Sequence, residues 1–189
     1  MNKKLISQKI ELIANEILIE INEHKKEKQL GILTGDFGIL LFLFYYARYS
    51  KKQSITIQAE KYAEELLLIL PKEVKNYTFC SGLSGILYLF NFLHNHQFIS
   101  IDTSAYKTDF ELYITNKMKR DFDIGNYDFM HGIIGGGIYF LNQRTNKQLI
   151  IDIVDFLYNI AEIDDTRTVF KWQSLINSNT DTGGYNIAL

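Results

Sequence analysis

Cysteine, proline, net charge and long apolar runs are all scarce in this sequence, and each shortage narrows what the chain can be. With one cysteine, Cys80, there is no internal disulfide framework, which fits a reducing compartment. The only proline, Pro71, marks the predicted end of one helix. Lys plus Arg total 20 against 22 for Asp plus Glu, so no electrostatic footprint for nucleic acid or an anionic membrane is present. The longest apolar run, Ile39 to Ala47, is about half of the roughly 20 residues a membrane helix needs. Near the N-terminus Lys9 and Glu11 interrupt any signal-peptide core, and the chain is read as cytoplasmic with no transmembrane segment.

What is abundant is apolar and aromatic material: 47% of residues are hydrophobic and 26 are aromatic, enough for a sizeable core in a single domain spanning residues 1–189. One device recurs three times. Gly35-Asp-Phe-Gly38, Gly82-Leu-Ser-Gly85 and Gly132-Ile-Ile-Gly135 each run into an apolar segment. Their first glycines are 47 and 50 residues apart, the length of a helical hairpin with its loops. The crowded start of an inner helix calls for residues that leave room and have permissive dihedrals, and glycine supplies both.

Between the turns, striped segments alternate with uniformly apolar ones. Ile6, Ile10, Ile13, Ile17 and Ile21 give the first stripe, that of an amphipathic outer helix from Leu5 to His24. Asp36 to Tyr49 reads as an inner helix. The second outer helix carries Ala59, Tyr62, Ala63, Leu66 and Leu70 and stops at Pro71; the second inner helix runs from Gly85 to about His94. Asp102 or Thr103 caps the third outer helix, with Tyr106, Phe110, Tyr113, Ile114 and Met118 buried, and the third inner helix begins at Gly136. A fourth stripe contains Leu149, Ile150, Ile153, Phe156, Leu157 and Ile160. Val169 to Ile176 is expected to form a short helix around Trp172, and the spacing places a fourth glycine turn near residue 182. The predicted fold is all-α, with hairpins 1–50, 51–97 and 98–145 followed by a fourth outer helix and tail, 146–189.

The segment Asn126-Tyr127-Asp128-Phe129-Met130-His131-Gly132-Ile133-Ile134-Gly135, supported by LTGDFGILLFLFYYARY and SGLSGILYLFNFL, resembles the lanthionine synthetase C-like family, the cyclases of lanthipeptide biosynthesis. The resemblance implies an α/α toroid, of which this chain would form the N-terminal half. It also implies an activity: zinc-assisted addition of a peptide cysteine to a dehydrated Ser or Thr, forming a thioether ring. Zinc suits that chemistry because it stabilises a thiolate near neutral pH. The family's ligands, two Cys and one His, lie in later repeats, and none is carried onto this sequence. Tyr185-Asn186-Ile187-Ala188-Leu189 looks like the lead-in to the family's catalytic His turn. The chain is therefore expected to bind no zinc and to be inactive alone. Its expected partners are a precursor peptide, the missing C-terminal half, or a second copy closing the ring.

Cys80 and His131 stand two and one positions before a turn's first glycine and are the weak metal candidates. A catalytic zinc commonly takes three protein ligands, and a buried thiol beside a capping histidine is the favoured reading. Asp36 and Asp128 are expected to satisfy backbone N–H groups at helix starts. A carboxylate pair there would instead suit a six-hairpin glycosidase. A non-catalytic scaffold binding a peptide or partner along the inner helices is the other rival. Gly35, Gly38, Gly82, Gly85, Gly132 and Gly135 are assigned to the turns.

Overall fold

The structure, a computed structural model, describes residues 3–23, 27–100, 104–164 and 169–173. Within them lie seven α-helices: α1 (Lys3–Asn22), α2 (Asp36–Ser50), α3 (Gln53–Glu73), α4 (Leu83–Asn95), α5 (Ser104–Ile124), α6 (Ile133–Gln143) and α7 (Lys147–Ile160). Two short strands follow, β1 (Glu162–Asp164) and β2 (Val169–Lys171). The expected N-cap at Asp102 or Thr103 and the fourth glycine turn lie outside the described residues.

Helices α2, α4 and α6 form an inner row in chain order, α2 on α4 and α4 on α6. The others back that row: α1 and α3 against α2, α5 against α4 and α6, and α7 against α6. This two-layer arrangement of hairpin repeats explains why the inner segments are apolar on nearly every side. Phe37, Leu40, Leu43 and Phe44 on α2, Leu83, Ile86, Phe90 and Leu93 on α4, and Ile133, Tyr139 and Phe140 on α6 are all buried. Phe37 meets Phe90 edge to face with ring centroids 5.6 Å apart, joining α2 to α4. Burying side chains of this size contributes about 1.5–3 kcal/mol each.

The outer stripe of α3 is buried as its periodicity predicts, through Ala59, Tyr62, Ala63, Leu66 and Leu70. That of α1 is rotated. Ala14 and Leu18 face the core with Ile10, Ile17 and Ile21 half-buried, whereas Ile6 and Ile13 are 36% and 47% exposed. Ala14 permits close approach to the core, and Ile13 borders an open cavity instead of a neighbouring helix. Pro71 does not end α3, which continues to Glu73. In the last turn the ring forfeits only one helical hydrogen bond, and Val74 N–H still bonds to the Leu70 carbonyl at 3.0 Å.

The first inner helix begins at Asp36 as expected, whereas the second and third start earlier than Gly85 and Gly136. Each begins one residue after the first glycine of its turn, so the second glycine already lies in the first helical turn. Of the short helix expected from Val169 to Ile176, Val169–Lys171 is instead a strand paired antiparallel with β1, Ile163 opposite Phe170, and residues 174–176 lie outside the described residues. In an extended strand Phe170 and Trp172 lie on one face. There Trp172 Nε1–H donates to the Leu157 carbonyl at 2.8 Å and Phe170 packs beside Tyr158, fastening the hairpin to the end of α7.

One buried hydroxyl in the inner row has no partner. Ser84 on α4 is fully buried and its Oγ makes no hydrogen bond among the described residues. Ser84→Ala removes an unsatisfied polar group without changing the shape of the helix and is expected to raise stability by about 1 kcal/mol. Urea denaturation of the two proteins checks this.

Candidate functional site

Three loops of one build enter the inner helices, side by side at one end of the row. In each, a main-chain carbonyl six residues before the first glycine caps the new helix. Gln29 C=O accepts from Asp36 N–H at 2.7 Å, Asn76 C=O from Leu83 N–H at 3.1 Å, and Asn126 C=O from Ile133 N–H at 3.1 Å. The sequence carries the signal as NYTFCSG at 76–82 and NYDFMHG at 126–132, with QLGILTG at 29–35 as a weaker copy.

The glycines are required for room and not for their dihedrals. Gly35, Gly82 and Gly132 have φ of −142°, −124° and −130°, extended values open to any residue. A Cβ at Gly35 or Gly132 would overlap the carbonyl oxygen six residues upstream, and one at Gly82 would overlap the Asn76 side-chain oxygen. Gly38, Gly85 and Gly135 are pressed in the same way by the carbonyls of Ile32, Phe79 and Phe129.

The loops also bond to one another. Ile32 and Leu33 N–H donate to the Cys80 carbonyl at 3.1 and 3.2 Å, and Cys80 N–H donates to the Met130 carbonyl at 3.0 Å. Across the same joints Ile32 packs over Gly85 and Phe79 over Gly135. At the last loop Asp128 ends the ladder: its Oδ1 accepts from Met130 N–H at 2.8 Å and His131 N–H at 2.7 Å. At the first loop the corresponding seat is open. Gly38 meets only its own loop within 4 Å, and no donor among the described residues reaches the Leu33 carbonyl. A cavity of about 980 Å³ lies there, floored by Ile13, Ile17, Ile32, Ile39 and Phe42 and rimmed by Lys28 and Asp36.

The ladder brings Cys80 and His131 onto adjacent loops but into different surroundings. Cys80 is buried. The His131 side chain is 62% exposed, with Nδ1 3.4 Å from Asp128 Oδ1. Among the described residues no group of three or more His, Cys, Asp or Glu side chains is placed to hold a metal ion. Asp36 accepts Gln29 N–H at 2.6 Å on Oδ2 and the Tyr62 hydroxyl on Oδ1. Both candidate carboxylates are thus engaged by backbone amides. His94 and His96 are exposed at the far end of α4, where Arg48 donates to the His96 carbonyl at 2.7 Å.

Three buried tyrosines tie the layers together, and sequence reasoning assigned none of them a polar role. Tyr62 on α3 donates to Asp36 at the start of α2, Tyr77 in the second loop to Asp121 on α5, and Tyr139 on α6 to Glu111 on α5. Burial, reinforced by the adjacent carboxylate, pushes all three hydroxyls well above the ordinary tyrosine range. Elsewhere on the inner helices Tyr45 is 49% exposed, Tyr88 half-buried and Tyr46 buried.

No helix is long and apolar enough to cross a membrane among the described residues. No curated protein matches the chain. The sequence profile described as lanthionine synthetase C-like protein matches residues 9–184, a span that takes in all three glycine-turn loops and every helix from within α1 to α7. The chain belongs to the lanthionine synthetase C-like family.

Proposed function

We propose that this chain is the N-terminal wall of a cytoplasmic thioether-forming lanthipeptide cyclase and that it contributes binding surface in place of the metal centre. The observation that carries this reading is the family match over residues 9–184 together with an open apolar seat at the first loop. The family reaction joins a peptide cysteine to a dehydrated Ser or Thr, and zinc, held by two Cys and one His, supplies the stabilised thiolate. The residues present do not fit that group. The sequence has one cysteine, its thiol is buried, and His131 on the adjacent loop is exposed beside Asp128. No step is assigned to Cys80 or His131.

The cavity beside α2 is the surface proposed to receive a precursor peptide or the remaining repeats of a ring, by apolar contact with Ile32, Ile39 and Phe42 and hydrogen bonding at the Leu33 carbonyl. The same cavity supports a second reading, a non-catalytic scaffold that binds a peptide without any cyclase activity. The glycosidase reading loses support because the carboxylates it requires, Asp36 and Asp128, are both held by main-chain amides.

Elemental analysis for zinc, on protein whose mass is measured by light scattering in the same sample, tests the proposal. The expected result is no stoichiometric zinc. About one zinc per chain, lost in Cys80→Ser or His131→Ala, would overturn it.

A further inference from the structure

The face of α1 turned away from α2 carries apolar residues that the fold leaves in solvent. Leu5, Leu12 and Ile19 are 55%, 54% and 53% exposed, and they recur every seven residues on the side opposite Ala14 and Leu18. A spacing of seven keeps these residues on one line of the helix surface, a stripe about 21 Å long. A shallow groove of about 370 Å³ lies along it, lined by Leu5, Gln8, Lys9, Glu11, Leu12 and Asn15.

The stripe is self-complementary when read in opposite directions. An antiparallel copy centred on Leu12 sets Leu5 opposite Ile19 and Leu12 opposite itself. On one flank Lys9 then comes opposite Glu16, and on the other Gln8 opposite Asn15. In antiparallel helix pairs, flanking residues on the same side of the seam face each other across it, so Lys9 and Glu16 pair twice about the axis. Lys9 and Glu16 are exposed and neither makes an ion pair among the described residues. A parallel arrangement would turn Lys9 and Glu16 to the opposite flank of the partner and lose this pairing. Glu11, by contrast, is held at 2.9 Å by Lys52, the residue before α3.

We infer that the outer face of α1 is an isologous interface through which two copies of this chain associate about a twofold axis, antiparallel along Leu5, Leu12 and Ile19. This contact lies on the outer layer, away from the open seat beside α2, and is independent of the reading of the metal centre. One helix pair covers less than the roughly 800 Å² per partner of a standard interface, so the association is expected to be weak and concentration-dependent.

Sedimentation equilibrium of the whole chain over a dilution series from about 100 µM tests it. A reversible monomer–dimer equilibrium is expected. Leu12→Glu, which places two carboxylates at the axis, should weaken it by about 100-fold, while Leu68→Glu on α3, at a residue 76% exposed, should leave it unchanged. Lys9→Glu should also weaken association, and adding Glu16→Lys should restore it. Recovery in the double variant separates charge pairing in this register from a general effect of surface charge. A wild-type monomer at the highest concentration, a dimer indifferent to Leu12→Glu, or a double variant no better than the single one would each overturn the inference.

Discussion

Gly85→Ala is expected to cost about 3 kcal/mol or more, and with it about 6–12 °C of thermal midpoint for a chain of this size. The added methyl would overlap the Phe79 carbonyl oxygen and come within 2.9 Å of Ile32 Cγ2 from the neighbouring loop. The first obstacle is backbone, which cannot rotate away, and the second is the side chain that joins the first two repeats. Relief requires loop and helix to part, breaking the capping bonds from Leu83 to Asn76 and from Ser84 to Tyr77. Gly135→Ala should behave alike, because Phe129 O and Phe79 Cβ occupy the equivalent places. Gly125→Ala is the useful contrast. Its φ of +76° makes alanine strained, but nothing lies within 4 Å, and a loss of about 1 kcal/mol is expected. Thermal and urea denaturation of the three variants give the comparison; a Gly85→Ala protein as stable as wild type would remove the steric account of the turns.

The turns were legible because glycine at fixed intervals leaves few physical explanations, yet their mechanism was only half legible. Room is needed, as the spacing suggested; unusual dihedrals are not, since all three capping glycines have extended φ. Nor does the sequence state that the crowding atom is a carbonyl six residues upstream, a contact made by backbone and therefore independent of residue type. The ladder through Leu33, Cys80 and Met130 was hidden for the same reason. Repetition of NY-x-F-x-x-G at 76–82 and 126–132 was the available clue.

Periodicity located the outer helices, but on α1 apolar residues occupy two faces. Isoleucine spacing alone could not decide which face turns inward, and Ala14, small and uninformative by hydropathy, occupies the closest approach. The hairpin of β1 and β2 escaped detection because three-residue strands have no period to read, and Trp172 anchors by its indole N–H, a contact with a main-chain carbonyl. At the candidate site, Cys80 and His131 do reach neighbouring loops. Their opposite burial is a property of loop packing and not of sequence position.

Raising the pH above about 10 is expected to destabilise the chain steeply, because three of its tyrosines are held protonated by the fold. The sign follows from the partners. Tyr62, Tyr77 and Tyr139 each donate a proton to a carboxylate oxygen while themselves buried, so ionisation would set two negative charges together out of water. Their folded pKa values therefore stand above the unfolded value of about 10. Below that value both states are protonated and the stabilisation is complete; above it the unfolded chain releases protons that the folded chain retains, and stability falls as pH rises. Lys52, raised by its hydrogen bond to Glu11, acts in the same direction, but it is exposed. Urea midpoints at about pH 8 and pH 11 should differ sharply, and the buried tyrosines, Tyr62, Tyr77 and Tyr139 among them, should lag behind the rest of the 12 in a phenolate absorbance titration until the chain unfolds. Replacing all three by Phe should flatten the alkaline slope while lowering stability near neutrality by about 1 kcal/mol per hydrogen bond lost, since each change strands a partner carboxylate. Twelve tyrosines titrating together in the folded protein would show that these hydroxyls do not tie the inner and outer layers, and that apolar packing alone holds the repeats in register.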